Sequence, residues 1–315
     1  TATDSAGHQI QQTFTINVGD LNEGQSGLAL AGNAVVENAA GAVIGALTVT
    51  DPDLADTQSF QVSDARFEVV DGQLKLKDGV SLNHEAEPTV NVEVTATDAG
   101  GNQIAQTFTI TVGDVNEAQT SISLSKSSVA ENAKGAVVGT VLVVDPDAGD
   151  KQSYSVSDSR FQIVNGQLKL KSGVSINYEV EPEVDVTVTA TDKSGHQISQ
   201  TFTIDVTNVN EKQTAMTLSA TKVTENDKGA VIGTLNVSDP DAGDVQSYKV
   251  SDNRFEVVDG QLKLKDGVSL NYESAANVNV KVTAIDTGGN QVVKTFSVNV
   301  QNDNEAQTAV TLTGT

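Results

Sequence analysis

The chain has 315 residues with no cysteine and no tryptophan, and its 42 acidic against 19 basic residues give a net charge of −23. Without cysteine there is no disulfide scaffold, thiolate metal site or cysteine nucleophile. So negative a chain repels nucleic acid and anionic lipid, which leaves cations or basic partners. The charge therefore predicts no nucleic-acid partner, and because no run of about 18 apolar residues occurs, we also expect no membrane insertion.

A repeat organises the whole chain. Glu37 recurs as Glu131 and Glu225, 94 residues apart each time, with no insertion or deletion between the copies. This period exceeds the roughly 20–50 residues of solenoid units and suffices for a small domain with its own core. The predicted organisation is the C-terminal part of a preceding repeat (1–24), repeat one (25–118), repeat two (119–212), repeat three (213–306) and the first strand of a following repeat (307–315).

Repeat two shows the strand pattern that the copies share. Its alternating or apolar segments predict strands at 122–124, 137–144, 154–156, 161–164, 167–170, 184–190 and 202–206. Asn165-Gly166 provides the two positive-φ residues of a type I′ hairpin turn. With no helical periodicity, the pattern predicts an all-β antiparallel sandwich. The predicted core of repeat two comprises Phe161, Ile163, Leu168, Leu170, Val186, Val188, Phe202, Ile204 and Val206.

Acidic residues recur with the period at the ends of the predicted strands. The loop at 145–150 lacks the glycine and glutamate positions of an EF-hand, and an enzyme would rarely repeat its acid–base pair in successive identical domains. We therefore predict that the chain is not an enzyme. One interpretation makes these residues turn formers on a solvated surface. The other, which the regular spacing favours, is that loops of consecutive repeats meet and bind a hard cation such as Ca²⁺.

Together, these motifs resemble the calcium motifs of cadherin repeats. The set comprises Glu-Asn, Asp-x-Asp, Leu-Asn-Tyr-Glu, Ala-Thr-Asp-x-x-Gly and Asp-Val-Asn-Glu. It is most similar to the tandem cadherin-like repeats of large, type I-secreted (RTX-type) bacterial surface adhesins. The resemblance implies tandem seven-stranded Greek-key β-sandwiches (cadherin/Ig-like) in an elongated array. It also implies an extracellular location on a bacterial cell surface, calcium between repeats, and a role in cell adhesion or biofilm formation.

The resemblance further implies a set of calcium ligands at each junction between repeats. Junction one–two would use Glu37, Glu85, the Val115 carbonyl, Asn116, Glu117, Asp145, Asp147 and Asp192. Junction two–three would use Glu131, Glu179, Val209, Asn210, Glu211, Asp239, Asp241 and Asp286. The half-site at the N-terminal edge would comprise Asn22, Glu23, Asp51, Asp53 and Asp98. The half-site at the C-terminal edge would comprise Glu225, Glu273, Asn304 and Glu305.

The chain departs from the family pattern at two ligand positions. Asn83, Asn177 and Asn271 replace the first acid of the family's Asp-Arg-Glu, and the linker aspartate is Glu117 or Glu211. Because affinity follows ligand charge, we expect about two tight ions per complete junction, with the outermost ion weak or absent. There is also no tryptophan of the kind that animal cadherins exchange, so homophilic adhesion is not implied.

Two classes of function follow from these observations. The first is a calcium-rigidified extender, or stalk, of a surface adhesin whose partners are calcium and neighbouring repeats of the same chain. The alternative is a binding or assembly role, either as self-associating repeats in an extracellular matrix fibre or as a calcium-dependent protein- or glycan-binding module.

Overall fold

The computed structural model describes residues 1–19, 21–53 and 56–306. These residues form 26 β-strands and no helix. The segment 307–315, where the first strand of a following repeat is predicted, lies outside the described residues. Nothing in the described part of the chain is a helix long and apolar enough to cross a membrane. The prediction of an all-β fold is therefore confirmed.

Each whole repeat contributes eight strands. Repeat one contains β3 (Gly27–Ala31), β4 (Ala34–Val36), β5 (Val43–Thr50), β6 (Ser59–Val62), β7 (Phe67–Val70), β8 (Gln73–Leu76), β9 (Thr89–Thr97) and β10 (Gln103–Gly113). Repeat two contains β11 (Ser121–Leu124), β12 (Ser128–Ala130), β13 (Val137–Val144), β14 (Ser153–Val156), β15 (Phe161–Val164), β16 (Gln167–Leu170), β17 (Glu183–Thr191) and β18 (Gln197–Thr207). Repeat three contains β19 (Ala215–Leu218), β20 (Lys222–Thr224), β21 (Val231–Ser238), β22 (Ser247–Val250), β23 (Phe255–Val258), β24 (Gln261–Leu264), β25 (Asn277–Ile285) and β26 (Gln291–Gln301).

The eight strands of a repeat form two four-stranded sheets. In repeat two the orders are β11-β13-β16-β15 and β12-β18-β17-β14, and repeats one and three have the same arrangement. The first strand is divided between the sheets, because β11 lies beside β13 whereas β12 pairs in parallel with β18. The strand order is that of an immunoglobulin-type sandwich. The predicted fold class of tandem β-sandwiches is thus confirmed.

The sequence did not reveal β12. This strand has three residues, too few for an alternation to be recognised, and its parallel pairing with Asp205–Thr207 depends on the finished fold. By contrast β13, β15 and β16 have the predicted bounds. The hairpin between β15 and β16 is also confirmed, since Asn165 has φ 51° and Gly166 has φ 73°.

Each sandwich has a core of its own. In repeat two the buried cluster includes seven of the predicted residues, Phe161, Leu168, Leu170, Val186, Val188, Ile204 and Val206. The other two, Ile163 and Phe202, are partly buried and pack against that cluster. Equivalent clusters fill repeats one and three. Burial of alternate residues from both sheets is what holds each sandwich together.

By internal contacts the chain divides into two compact units. The first comprises Thr1–Ser121, Val144–Gln152 and Thr191–Gln197. The second comprises Ile122–Val143, Ser153–Ala190 and Ile198–Thr315. The loops that follow β13 and β17 therefore belong to the same unit as repeat one and the linker after β10, whereas the equivalent loops of repeat three belong to the unit that contains the core of repeat two.

Residues 1–24 contain only short strands. Only β1 (Ala2–Thr3) and β2 (Gln9–Ile10) are present among the described residues of this segment, paired as a short antiparallel hairpin. The segment that corresponds to β10 exposes Phe14, Ile16 and Val18, at 79%, 84% and 92%. No facing sheet covers these side chains in the part of the chain that the structure describes. The burial that fixes β10 is therefore missing, and an isolated hairpin is only marginally stable.

Candidate metal centre

Strand ends gather eight acidic side chains within the first unit. Glu37 follows β4, Glu85 lies between β8 and β9, and Asp114 and Glu117 follow β10. The remaining acids lie in the loop after β13 and directly after β17. We call this set the first cluster: Glu37, Glu85, Asp114, Glu117, Asp145, Asp147, Asp150 and Asp192.

Carboxylate oxygens converge in two overlapping groups of this cluster. One group contains Glu85, Glu117 and Asp147, and the other contains Glu37, Glu85 and Asp114. Within each group one oxygen per residue lies within 4.8 Å of the others. Glu37 and Asp147 are only 2% and 6% exposed. Each group thus places one buried carboxylate beside two more exposed ones, an arrangement that a bound cation would stabilise.

Backbone amides fix the most buried acid of the cluster. The Glu37 carboxylate accepts hydrogen bonds from the amides of His84 (2.7 Å) and Val115 (2.8 Å), one on each oxygen. Burial raises the pKa of Glu37, but these two amides outweigh it and the net pKa is lowered. Glu37 is thus held ionised and in one orientation. Val115, predicted as a ligand through its carbonyl, uses its N–H to position this acid.

The linker after β10 is bound to the loops of repeat two. The amide of Glu117 donates to Asp147 Oδ2 at 2.7 Å, and Asn116 Nδ2 donates to Asp192 Oδ2 at 2.9 Å. His196 also donates to Asp192 from its backbone amide at 2.9 Å, and its Nδ1 lies 2.8 Å from Asp192 Oδ2. Burial raises the pKa of Asp192, yet these hydrogen bonds prevail and lower it to about 2. The structure therefore brings together four of the predicted ligands, Asn116, Glu117, Asp147 and Asp192, through hydrogen bonds.

An asparagine in the left-handed region holds the linker glutamate. Asn38 has φ 61°, and its side-chain nitrogen Nδ2 donates a hydrogen bond to Glu117 Oε1 at 2.6 Å. The other oxygen, Oε2, is buried without a hydrogen-bond partner, as is Oδ1 of Asp147. Burial, together with the charges of Glu37, Glu85 and Asp147, raises the pKa of Glu117. Burial also raises the pKa of Asp147. A cation bound to Glu117 Oε2 and Asp147 Oδ1 would give each of these oxygens the partner that it lacks.

Asp145 is engaged within its own loop. Its Oδ1 accepts from the amide of Asp147 at 3.1 Å and its Oδ2 from Gln152 Nε2 at 2.7 Å. Gln152 in turn accepts from the linker residue Gln119 at 2.7 Å. The same glutamine relay recurs at Asp51 and Asp239. Asp145 thus connects the cluster to the linker.

The second unit contains an equivalent set, which we call the second cluster: Glu131, Glu179, Glu211, Asp239, Asp241, Asp244 and Asp286. Oxygens of Glu131, Glu179, Glu211 and Asp241 all lie within 4.8 Å of one another. Glu131 accepts from the amides of Tyr178 (3.0 Å) and Val209 (2.7 Å).

Its linker contacts repeat those of the first cluster. Glu211 donates its amide to Asp241 at 2.6 Å, and Asn210 donates to Asp286 at 3.0 Å. Asn132 donates to Glu211 Oε1 at 2.5 Å, and Glu211 Oε2 is buried without a partner. Burial and the neighbouring charges raise the pKa of Glu211.

The predicted half-sites at both edges are also assembled. At the N-terminal edge, Asn22 donates to Asp98 at 2.8 Å and the Glu23 amide donates to Asp53 at 2.7 Å. Asp51 and Asp98 form a close acidic group with Asp56. At the C-terminal edge, Glu225, Glu273 and Glu305 form such a group, and the neighbouring Asn304 is exposed.

Three kinds of site residue escaped the sequence analysis. Asp114 belongs to the Asp-Val-Asn-Glu motif but was not assigned as a ligand, because the equivalent residues of repeats two and three are the neutral Asn208 and Asn302. Asp150, Asp56 and Asp244, the third acids of the recurring loops, were not assigned as ligands, although each has a buried oxygen without a partner. The asparagine of the Glu-Asn motif was not assigned either. Its positive φ and its hydrogen bond to the linker glutamate become evident only in the folded chain.

The donor set fits calcium. The converging atoms are carboxylate and amide oxygens, with no sulfur, and Ca²⁺ takes six to eight such ligands in flexible geometry. Several of these oxygens are buried without partners in both clusters: Asn116 Oδ1, Glu117 Oε2, Asp147 Oδ1, Asp150 Oδ2, Glu179 Oε2, Glu211 Oε2 and Asp244 Oδ2. Burying oxygen atoms without partners lowers the stability of the folded chain unless a bound ion coordinates them.

No protein-family model matches the chain. Human protocadherin beta-1 is 26% identical over 231 residues, 66% of this chain and 28% of that protein. Protocadherin alpha-2 of Pan troglodytes is 28% identical over 300 residues, 85% of this chain and 31% of that protein. The chain therefore spans less than a third of the length of these curated relatives. Mouse cadherin-23 EC22-24 superposes with a TM-score of 0.63 at 19% identity, covering 87% of this chain and 96% of that chain.

These similarities agree with the fold. The solved structure shows that the sandwiches have the fold of cadherin extracellular repeats, and both curated relatives are protocadherins. Cadherin repeats bind calcium in general. The chain is therefore built of tandem β-sandwiches that have the fold of cadherin extracellular repeats.

Proposed function

We propose that this chain is a calcium-rigidified extender of a large bacterial surface adhesin, placed outside the cell between a surface anchor and a distal adhesive domain. The observation that carries the proposal is the pair of equivalent acidic clusters, each with buried carboxylate oxygens that lack partners. Calcium bound there would tie the linker after one sandwich to the loops of the next. Repeats of one length that share one set of motifs suit a spacer, whereas a binding domain would be expected to differ from its neighbours.

The composition supports an extracellular bacterial setting. A chain without cysteine needs no oxidative step to fold after secretion. Where calcium is scarce, the charge of −23 would keep the acidic clusters in mutual repulsion. At the millimolar calcium found outside cells, these clusters would be neutralised. This sequence of events fits a type I-secreted adhesin that acts in cell adhesion or biofilm formation.

Each complete junction is proposed to hold about two calcium ions. The proposed ligands of junction one–two are the side chains of the first cluster together with Asn116 and the Val115 carbonyl. Those of junction two–three are the second cluster together with Asn210 and the Val209 carbonyl. The outermost position would remain weak, because neutral Asn83 and Asn177 stand where a carboxylate would be needed.

An assembly role is the second candidate, and one surface feature favours it. On β13 of repeat two, Leu142 and Val144 are 54% and 56% exposed. The equivalent residues of the other whole repeats are polar: Thr48, Thr50, Asn236 and Ser238. An apolar pair on an outer sheet face could support lateral contact between like chains in a fibre. A solved relative, protocadherin gammaB7 EC3-6, is described as a cis-dimer.

Sedimentation velocity in millimolar calcium distinguishes the two roles. An extender should sediment as a monomer whose coefficient and high frictional ratio do not change with protein concentration. A fibre-forming chain should instead give species that grow with concentration, and Leu142→Thr with Val144→Thr should abolish that growth. Concentration-dependent polymers would overturn the extender proposal.

A further inference from the structure

One position beside each acidic cluster differs in charge between the repeats. Directly after Asp192 stands Lys193, whereas the equivalent residue after Asp286 is Thr287. Lys193 Nζ lies 2.8 Å from Oδ1 of Asp150, and Thr287 Oγ1 lies 2.6 Å from Oδ1 of Asp244. The two residues therefore make the same contact with the third acid of the loop, one with a positive charge and one without.

The acid that Lys193 contacts is buried. The Asp150 side chain is only 7% exposed, and its second oxygen has no hydrogen-bond partner. Asp244 likewise has one buried oxygen without a partner. A buried carboxylate is stabilised by a cation more than by a hydroxyl. Lys193 itself is 63% exposed, so its ammonium also keeps contact with water and its effect is moderate.

A second difference accompanies the first. The first cluster includes Asp114, whereas the equivalent residue beside the second cluster is the neutral Asn208. Asp114 and Lys193 line the same cavity, of about 310 Å³, together with Asp147 and Asp150. The eight acids and one ammonium at the first cluster carry the same formal charge of −7 as the seven acids of the second.

We propose that Lys193 is a tethered counter-ion of the first cluster, which offsets the extra charge of Asp114 and lowers the dependence of this cluster on calcium. It is a positioning and charge-balancing residue, not a calcium ligand. The proposal rests on the proposed function, because it assumes that the cluster binds calcium. Replacing Lys193 should then lower the stability of the chain without calcium and tighten the binding of calcium.

The test exchanges the two residues in the whole chain, as Lys193→Thr and as Thr287→Lys. In EDTA, Lys193→Thr should lower the melting temperature, because the acids lose a built-in cation. In calcium titrations it should tighten the affected ions about threefold, the size expected for one partly exposed charge. Thr287→Lys should do the reverse at the second cluster, raising the EDTA melting temperature and weakening binding. A merely structural residue would move both readouts in one direction.

Lys151→Thr is the matched control. Lys151 follows Asp150 directly, is exposed, and forms no ion pair within the described part of the chain. The control removes the same charge from the loop that contains Asp150 and should leave both readouts close to wild type. If Lys193→Thr changes neither readout, or changes them no more than Lys151→Thr, the counter-ion role is wrong. A wild-type chain that binds no calcium would instead overturn the proposed function, and the EDTA comparison would still test Lys193.

Discussion

At the scale of single residues, each of the three asparagines that replace a family acid forms a hydrogen bond within its own turn. Asn83, Asn177 and Asn271 each accept a backbone amide three residues ahead through Oδ1, at 2.6, 2.9 and 2.7 Å. The one oxygen that such a side chain could offer to an ion is thus engaged in a turn. An aspartate would keep this hydrogen bond and add a charge and a second oxygen.

This comparison predicts the outcome of Asn177→Asp. The variant should bind one more calcium ion tightly, at junction two–three, because the outermost position gains a charged ligand. Calorimetric titration of wild type and variant measures the number of ions and their affinities. The control is Asn236→Asp on β21, because Asn236 is exposed and the variant adds the same charge outside the cluster. An unchanged ion count in Asn177→Asp would contradict the claim that Asn177 disables a site.

The sequence predicted part of the site residue by residue. Glu37, Glu117, Asp147 and Asp192 recur at strand ends, and the structure joins them through the linker. Lys193 could not be identified in this way, because its significance lies in its contact with an acid 43 positions earlier in the chain. Periodicity finds what all repeats share, whereas charge balance at one junction depends on residues that differ.

At the scale of the elements, a glycine interrupts the regular pairing of one long strand in each sandwich, namely β5, β13 and β21. The register between β13 and β16 shifts between Val137 and Gly139. A Cβ atom on Gly139 would lie 2.4 Å from the backbone oxygen of Lys126 and 2.8 Å from its backbone nitrogen. A Cβ atom on Gly45 or on Gly233 would likewise lie 2.0 or 2.8 Å from the nearest backbone atom of another segment. The bulge therefore brings two segments of backbone too close for any side chain.

Gly139→Ala is consequently predicted to lower the free energy of unfolding by about 2–3 kcal/mol, because backbone atoms must move apart. Gly166→Ala is the comparison, since its Cβ would meet nothing within 4 Å and only its φ of 73° is unfavourable. That strain should cost about 1 kcal/mol. Denaturant unfolding in calcium measures both. A larger loss for Gly166→Ala than for Gly139→Ala would contradict the argument from close backbone approach.

The elements were the most predictable part of the fold, for a physical reason. Strands such as β15 and β16 alternate buried and exposed residues around a turn that local chemistry dictates. β18 begins at Gln197, earlier than the predicted 202, because Ile198 is the one apolar residue among its first five and no alternation is visible there. The ladder in the equivalent pair of repeat three, β25 with β26, likewise extends to Gln291.

At the scale of the whole molecule, the account depends on the ion and not on the cores. Each sandwich has its own buried cluster, so each should fold without calcium. The acidic clusters, in contrast, contain groups whose pKa is raised by burial, including Glu117, Asp147 and Glu211. Since a raised folded-state pKa means that ionisation opposes folding, these groups destabilise the calcium-free chain as pH rises through their pKa.

The most direct test is the melting temperature of the wild-type chain in EDTA and in millimolar calcium at neutral pH. An ion that binds only the folded chain adds about 2.7 kcal/mol when its concentration is 100 times its Kd. With magnesium as the control, because it prefers a smaller octahedral site, we predict a clear rise in melting temperature with calcium and a much smaller one with magnesium. Equal melting temperatures in EDTA and in calcium would contradict the claim that calcium holds these repeats.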